Sequence, residues 1–188
     1  HGNGERVADL AELASLVPVV CFSPESHELV GGGAEVRRRF LDWIVFHVEP
    51  GFAEAHRRDG RVLRQRNALL KTMPDASELA AWTRELAEAG EAVAAFRARV
   101  YPDFASGMVR CLARVLDELG AAVLHYKRGW REELSLLERL TMLQARELEL
   151  GHSLAGPHRA DWSVEIGERT LRTEGSRGQQ KLVALANR

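Results

Sequence analysis

The chain has 188 residues, a formal net charge of −1 and 45% hydrophobic residues, values typical of one or two soluble globular domains. Its apolar runs are too short to cross a bilayer, and its first residues do not show the charged, apolar-cored pattern expected of a leader. Cys21 and Cys111 lie in apolar surroundings without metal-ligand spacing, so we expect reduced core residues of a cytosolic protein. The net charge excludes a uniformly positive surface, but it does not exclude local arginine clusters.

Residues 1–30 contain short and incomplete elements. Asn3-Gly4 is a hairpin-turn signal with no room for a strand before it. Residues 10–16 predict a short helix, and residues 18–22 predict a buried strand. At the other end, residues 179–188 show a helical pattern without a stop signal. We therefore expect an internal segment of a longer protein.

Residues 31–150 are predicted to form a helical lobe. Two stretches carry apolar residues at alternating steps of three and four, from Leu79 to Val100 and from Met108 to Tyr126. With Pro102 between them, this period predicts an antiparallel helix pair, 78–100 and 104–126. Two core helices of a helical domain are an equally good interpretation of the same pattern. A third helical stretch covers residues 132–150.

Residues 151–188 differ in pattern from the helical region. Gly156-Pro157 interrupts the helical periodicity, "DWSVEI" alternates as a strand does, and "RTLRT" can pair back across a turn at Gly167-Glu168. A loop rich in serine and glycine follows, and then a helix. The predicted fold class is therefore mainly α with a small β part, an α+β arrangement.

Three consecutive arginines, Arg37, Arg38 and Arg39, lie on a predicted helix. They fan across about 200° of its circumference, so they cannot all face one partner. One interpretation is a solvated face on which one arginine pairs with Asp42 or Glu35. The other follows only from the family resemblance given below, which singles out Arg37 with Arg38 or Arg38 with Arg39.

A second group of cations recurs at the spacing of one helical face: Arg57, Arg61, Arg64 and Lys71. Such a stripe suits the DNA backbone, which arginine contacts without reading the base sequence. The alternative is an exposed face whose charge is balanced by Asp59 and Glu54.

The string "SRGQQK", residues 176–181, precedes a predicted helix. A helix start offers unpaired N–H groups and the positive end of the helix dipole, and Gly178 allows a ligand to approach the backbone closely. Ser176 adds a hydroxyl donor and Lys181 adds charge. The arrangement can hold a phosphate, although Ser-x-Gly before a helix is more often a simple N-cap.

Four motifs occur in order along nearly the whole chain. "SRGQQKLVALA" (176–186) resembles the signature motif of ABC-type ATPases, in the form carried by SMC-like DNA-repair proteins and most closely by the RecF family. "FSPESHELVGGGAEVRRRFLDW" (22–43), "LRQRNALLK" (63–71) and "GPHRADW" (156–162) are similar to further RecF patterns.

The resemblance implies part of an ATP-binding DNA-repair protein whose P-loop and Walker B carboxylates lie outside this chain. We therefore expect no ATPase activity from the segment alone. Residues 1–30 would be a remnant of the nucleotide-binding lobe, 31–150 the helical lobe, and 151–188 the hairpin and signature motif. ATP with Mg²⁺ would be bound mainly elsewhere in the parent chain, and its γ-phosphate would be contacted by the signature residues of a second subunit: Ser176, Arg177, Gly178, Gln179, Gln180 and Lys181.

The resemblance further implies an ATP-dependent homodimer that binds DNA at junctions of single strand and duplex. It also implies cooperation with RecO and RecR mediators in loading recombinase at gaps, in repair and the SOS response. Arg37, Arg38 and Arg39 join the helical stripe as DNA-binding candidates. Two other groups match the family pattern: Gln65, Arg66 and Asn67, without an assigned role, and His158 and Arg159, expected near the nucleotide or DNA face although Ala160 replaces an acid of the family motif.

Two alternatives remain open. One is another short-armed SMC-like ATPase, although the long heptad arms and zinc hook of the double-strand-break type do not occur in this sequence. The other, from a different class, is a helical interaction module whose apolar seams bind partner helices. That module leaves the predicted hairpin and the "SRGQQK" turn without a role.

Overall fold

The computed structural model describes residues 28–72, 74–115, 121–166 and 169–170. Five α-helices and one 3-10 turn are described: α1 Glu28–Gly31, α2 Ala34–Val48, α3 Phe52–Leu69, α4 Ala76–Val115, α5 Leu136–Leu150 and the turn Pro157–Arg159. The described strands are β1 Ala122–Lys127, β2 Asp161–Ile166 and β3 Arg169–Thr170. They form one antiparallel sheet in the order β1-β2-β3. The predicted class, mainly α with a small β part, is confirmed.

The expected antiparallel pair of helices is wrong, because α4 is one helix of 40 residues with Pro102 inside it. At 1.5 Å per residue the helix is about 60 Å long. A proline removes the hydrogen bond to the carbonyl four residues earlier. Here that carbonyl belongs to Ala98, and both Ala98 and Pro102 are exposed, so water can satisfy it and the helix continues.

The second half of the predicted pair also fails at its end, because residues 122–127 form strand β1 and not a helix. Ala122 and Tyr126 fit a heptad position, but with Leu124 between them they equally fit the two-residue period of a strand. These three side chains pack against the core, and the residues between them are more exposed. Pairing with β2 selects the two-residue period of a strand. The pairing runs from Ala122 opposite Ile166 to Lys127 opposite Asp161.

The predicted strand "DWSVEI" is confirmed as β2, and Arg169 and Thr170 pair back onto it as predicted. The third predicted helix is confirmed as α5. It begins at Leu136 because Ser135 caps it in a reciprocal capping box with Glu138. It ends at Gly151, whose φ of 71° is the left-handed conformation common at helix C-termini.

The long helix α4 connects two hydrophobic clusters. The first joins α4 to α2 and β2, with Val45, Val93 and Trp162 among its buried side chains, and the free thiol of Cys111 packs against it. The second joins α4 to α3 and α5, with Leu86 and Leu136 fully buried. No helix in the described ranges is long and apolar enough to span a membrane.

Gly90 permits the close approach of α5 to α4. A Cβ at this position would lie 2.5 Å from Cδ2 of Leu136 and 3.1 Å from Cδ of Pro157. Both distances are shorter than ordinary contacts between carbon atoms. The predicted helix at 10–16, the predicted strand at 18–22, Cys21 and the turn at Gly167-Glu168 lie outside the described residues.

Candidate nucleic-acid interface

Helix α3 is amphipathic, and its polar face carries the predicted cations. Phe52 and Val62 are buried against the rest of the lobe. Arg57, Arg61 and Arg64 are all exposed. At 100° per residue these three arginines fall within about 60° of the helix circumference. The sequence therefore placed them correctly on one exposed face.

The three arginines differ from their neighbour Arg58 in how their charge is used. Arg58 donates hydrogen bonds to Glu88 at 3.1 Å and to Glu85 at 3.0 Å, both on α4. Among the described residues, none of the other three forms an ion pair. The N–H donors of these three guanidinium groups are therefore available to an external anion.

Two grooves flank this face. One has a volume of about 610 Å³ and is lined by Glu54, His56, Arg57, Gly60, Arg61 and Arg64. The other, about 430 Å³, lies toward α4 and is lined by Arg58, Arg61, Val62, Arg64, Gln65, Trp82 and Glu85. Arg61 and Arg64 line both grooves and form the ridge between them.

The alternative, in which Asp59 and Glu54 balance the stripe, holds only for Glu54. Glu54 is exposed in the same groove as the arginines. Asp59 is 6% exposed, and its Oδ1 atom has no hydrogen-bond partner. Burial raises the pKa of Asp59 to about 6, although Arg97 and His56 oppose the rise. Glu54 is therefore the one exposed carboxylate that lines the first groove beside the three exposed guanidinium groups, and Glu85, in the second groove, is paired with Arg58.

Lys71 lies two residues past the end of α3 and is exposed. Its methylene stem covers Gly151, the residue that ends α5; a Cβ there would lie 3.2 Å from Cγ of Lys71. The charged group can extend beyond the stem toward solvent. Lys71 thus belongs to the junction of α3 and α5, outside the helix on which the sequence placed it.

Arg66 and Asn67, to which the sequence assigned no role, form hydrogen bonds to other residues within the protein. Arg66 and Glu147 are both 0% exposed and form an ion pair of 2.7 Å between Nη2 and Oε2. Arg66 also donates to the hydroxyl oxygens of Ser153, at 2.7 Å, and Thr83. Asn67 accepts from the backbone N–H and the hydroxyl of Ser153, both at 2.8 Å. Gln65, in contrast, is exposed in the second groove.

The three arginines at the start of α2 have three different environments. Arg37 is 2% exposed and forms a bidentate pair with Asp161, at 2.7 and 3.0 Å. Arg38 donates to the carbonyl of Ala160 at 2.8 Å. Arg39 is exposed and pairs with Glu35 one turn earlier, as one of the alternatives predicted. A buried, doubly bonded guanidinium has no surface for a phosphate, so we remove Arg37 from the DNA-binding candidates.

Asp42, the other expected partner, binds a residue that the sequence did not single out. Arg97 of α4 donates to both of its carboxylate oxygens, at 2.7 and 2.9 Å, and also to the carbonyl of Pro157 at 2.8 Å. Burial acts to raise the pKa of Asp42, but the hydrogen bonds from His56 and Arg97 outweigh burial and lower this pKa. No local spacing links Arg97 to Asp42, because 55 positions separate them.

Segment 153–161 is therefore held by four arginines from three helices: Arg37 and Arg38 of α2, Arg66 of α3, and Arg97 of α4. The segment contains the "GPHRA" stretch and leads directly into β2. The motif thus joins the helical lobe to the sheet.

His158 is a partly buried residue of this segment. Its Nε2 lies 3.2 Å from the carbonyl oxygen of Ser153, and Nδ1 is buried without a partner. Burial lowers the pKa of His158 to about 4, so the ring is neutral at pH 7. Arg159 is exposed and lines a cavity separate from the two grooves of α3.

The predicted phosphate-binding residues Ser176, Arg177, Gly178, Gln179, Gln180 and Lys181 lie outside the described residues. Within the described ranges, no cluster of histidine, cysteine, aspartate and glutamate could hold a metal ion. The nucleotide contact therefore stays a prediction, and the described geometry bears on the cationic surface alone.

Comparison with protein-family models finds no match. Curated relatives match nearly the whole chain. The DNA replication and repair protein RecF of Stenotrophomonas maltophilia is 45% identical over 185 residues, which is 98% of this chain and 51% of that protein. The RecF proteins of Xanthomonas euvesicatoria and Coxiella burnetii are 44% and 38% identical, again over 98% of this chain and about half of theirs.

Solved structures with a similar fold are also RecF structures. Two solved structures of the recombination mediator protein RecF in the RecFOR pathway, RecF-ATP and RecF-ATPrS, superpose with a TM-score of 0.79 over 88% of this chain and 48% of theirs, at 24% identity. At that identity the likeness concerns the fold alone. The chain spans about half the length of the curated relatives it matches. On these sequence matches and on the shared fold, it belongs to the RecF family, as a segment of the longer protein.

Proposed function

We propose that this segment supplies a DNA-binding surface of a RecF-like repair ATPase, and that Arg57, Arg61 and Arg64 on α3 contact the phosphate backbone. The observation that carries the proposal is the absence of any ion pair to these exposed arginines among the described residues, next to an Arg58 that is fully paired. Arginine's planar fork suits phosphate oxygens. Contacts of this kind position a duplex or single strand without reading its bases.

The remaining functions are proposed from membership in the family. ATP with Mg²⁺ binds mainly to other parts of the parent chain, and the signature residues 176–181 of one subunit contact the γ-phosphate of ATP held by the other. The nucleotide then joins two copies into a dimer that recognises junctions of single-stranded and duplex DNA. RecO- and RecR-type mediators load recombinase there during cytoplasmic gap repair and the SOS response. The relatives' names and the RecF-ATP structure support this assignment.

Neither alternative has comparable support. Matches along 98% of the chain are to RecF, which argues against a different short-armed SMC-like ATPase. The interaction-module hypothesis depended on two apolar helical seams, 79–100 and 108–126. The end of the second seam, from Ala122 to Tyr126, is a strand within the sheet.

The DNA-binding proposal is tested by the salt dependence of affinity in the full-length protein. Each lost phosphate contact flattens the log–log slope by about 0.9 on duplex DNA. We therefore expect Arg61→Ala with Arg64→Ala to weaken binding and flatten the slope by about two units, measured by fluorescence anisotropy on a gapped duplex.

Arg58→Ala is the matched control, since Arg58 lies on the same helix but is already paired with Glu85 and Glu88. It should leave the salt slope unchanged. A double variant with an unaltered slope would show that Arg61 and Arg64 make no phosphate contacts. An Arg58 variant with an equal change would show that ion pairing does not decide which arginines of α3 contact DNA, and the observation that carries the proposal would lose its force.

A further inference from the structure

A second cationic cavity lies away from α3. It has a volume of about 790 Å³ and forms where the end of β1, the loop 128–135, the first turns of α5 and the 3-10 turn meet. Five cationic residues line it, against the two acidic residues Glu132 and Glu133: Lys127, Arg128, Arg131, Arg139 and Arg159. The cavity shares no lining residue with either groove of α3.

Arg128 holds the cavity's own loop in place. Its Nη2 donates to the carbonyls of Arg131, Glu132 and Leu134, at 2.7, 3.0 and 2.7 Å. Its guanidinium lies 4.4 Å over the ring of Trp130, a favourable cation–π distance. Arg128 therefore shapes the wall of the cavity.

The other four cations form no ion pair with any residue in the described ranges: Lys127, Arg131, Arg139 and Arg159. Three of them are arginines, whose forked donors suit planar carboxylates as well as phosphates. The cavity therefore offers several unused donors in one open space.

The loop 128–135, which carries Arg131, is fixed by its own contacts before any ligand binds. Trp130 is 9% exposed, and its indole N–H donates to the carbonyl of Leu134. Gly129 has a φ of 107°, and a Cβ there would lie 2.1 Å from the carbonyl oxygen of Gly156, so the loop is packed directly on segment 153–161. Preorganisation of this kind lowers the entropy cost of binding.

The lining also contains apolar groups. Met142 is 67% exposed, and Leu134 and Leu154 line the same cavity. A phosphodiester backbone makes no use of an exposed methionine. A peptide can present carboxylates together with an apolar side chain, and methionine is an adaptable contact residue enriched at protein interfaces.

We propose that this cavity is a docking site for an acidic peptide segment of a partner protein. Arg131, Arg139 and Arg159 bind its carboxylates, and one apolar side chain of the peptide packs on Met142 and Leu154. Charge complementarity selects the partner, and the exposed methionine favours a peptide over a phosphodiester backbone, which presents no apolar side chain. The assignment also gives Arg159 a role separate from that of its partly buried neighbour His158.

The test measures binding of a short fluorescein-labelled peptide of glutamates with central leucines to the full-length protein by anisotropy. We expect Arg131→Ala with Arg159→Ala to weaken peptide binding about tenfold, and Met142→Gln to weaken it several-fold. A peptide with glutamines in place of the glutamates should not bind. Arg110→Ala, which removes an exposed arginine of α4 outside the three cavities described, is the control and should have no effect.

A labelled single-stranded oligonucleotide provides the second measurement, and its affinity should be unchanged by the double variant. If the double variant lost oligonucleotide affinity and kept peptide affinity, the cavity would be a nucleic-acid site. If neither affinity changed, or if Met142→Gln left peptide binding intact, the docking proposal would be overturned. The substituted side chains lie at the surface or line an open cavity, and an unchanged thermal midpoint would show that each variant folds.

Discussion

Removal of the carboxylate of Glu147 is the sharpest test of how segment 153–161 is held. Glu147 and Arg66 are both fully buried, and their ion pair is 2.7 Å long. The second carboxylate oxygen, Oε1, accepts from the backbone N–H of Leu154 at 2.7 Å. In Glu147→Ala the guanidinium of Arg66 stays buried without its counter-charge, and the N–H of Leu154 loses its acceptor.

Breaking a buried pair by removing one partner costs about 3–5 kcal/mol, most of it from the charge left behind. This is a large fraction of the free energy of unfolding of a typical domain, about 5–15 kcal/mol. We therefore expect Glu147→Ala to lower the urea midpoint of the full-length protein substantially. Glu149→Ala, an exposed glutamate two residues later, is the control, with an expected change within about 0.5 kcal/mol.

The double variant Arg66→Met with Glu147→Leu separates the charge from the packing. Without either ion, most of the stability should return, since replacing both partners of a buried pair by apolar residues is often neutral or favourable. Two of the other polar groups keep partners: Thr83 still donates to the carbonyl of Leu79, and the Ser153 hydroxyl still donates to Asn67. The N–H of Leu154 loses its acceptor in the double variant as it does in Glu147→Ala, so the comparison between the two variants isolates the buried charge of Arg66. A Glu147→Ala variant with a loss below about 1 kcal/mol, or a double variant no more stable than the single one, would refute this reasoning.

Two further predictions concern a buried carboxyl group and the nucleotide contact. Because burial raises the pKa of Asp59 to about 6 from an ordinary value of 3.8, ionisation favours the unfolded chain and Asp59 destabilises the fold progressively between those two pH values. Asp59→Asn should therefore raise the free energy of unfolding by about 2–3 kcal/mol above pH 6 and by little near pH 4; equal effects at both would contradict the assignment. Ser176→Arg should leave ATP affinity nearly unchanged and abolish ATP-dependent dimerisation, as followed by analytical sedimentation, and normal dimer formation would refute the proposed contact across the subunits.

The features predicted correctly from the sequence depend on neighbours along the chain. Strand β2 follows from the alternation of "DWSVEI", and α5 follows from its leucine spacing, although the prediction began the helix at 132 and the structure begins it at Leu136. The exposed face of α3 follows from the spacing of Arg57, Arg61 and Arg64. Backbone geometry imposes these periods, so residues within a few turns are enough to predict them.

The roles of the other charged residues depended on contacts that no local pattern contains. Arg37 has its partner Asp161 124 positions away, and Arg66 has Glu147 81 positions away. From spacing alone, Arg37 and Arg61 look like equivalent surface cations, yet the first is buried and the second exposed. Strand β1 was missed for the same reason, because its residues fit two periods and only β2 selects one. A local period decides which residues share a face of a helix or strand. Whether a charged residue can be buried depends on a distant element that supplies the opposite charge, because burying an unpaired charge is costly. That partner is known only from the tertiary structure.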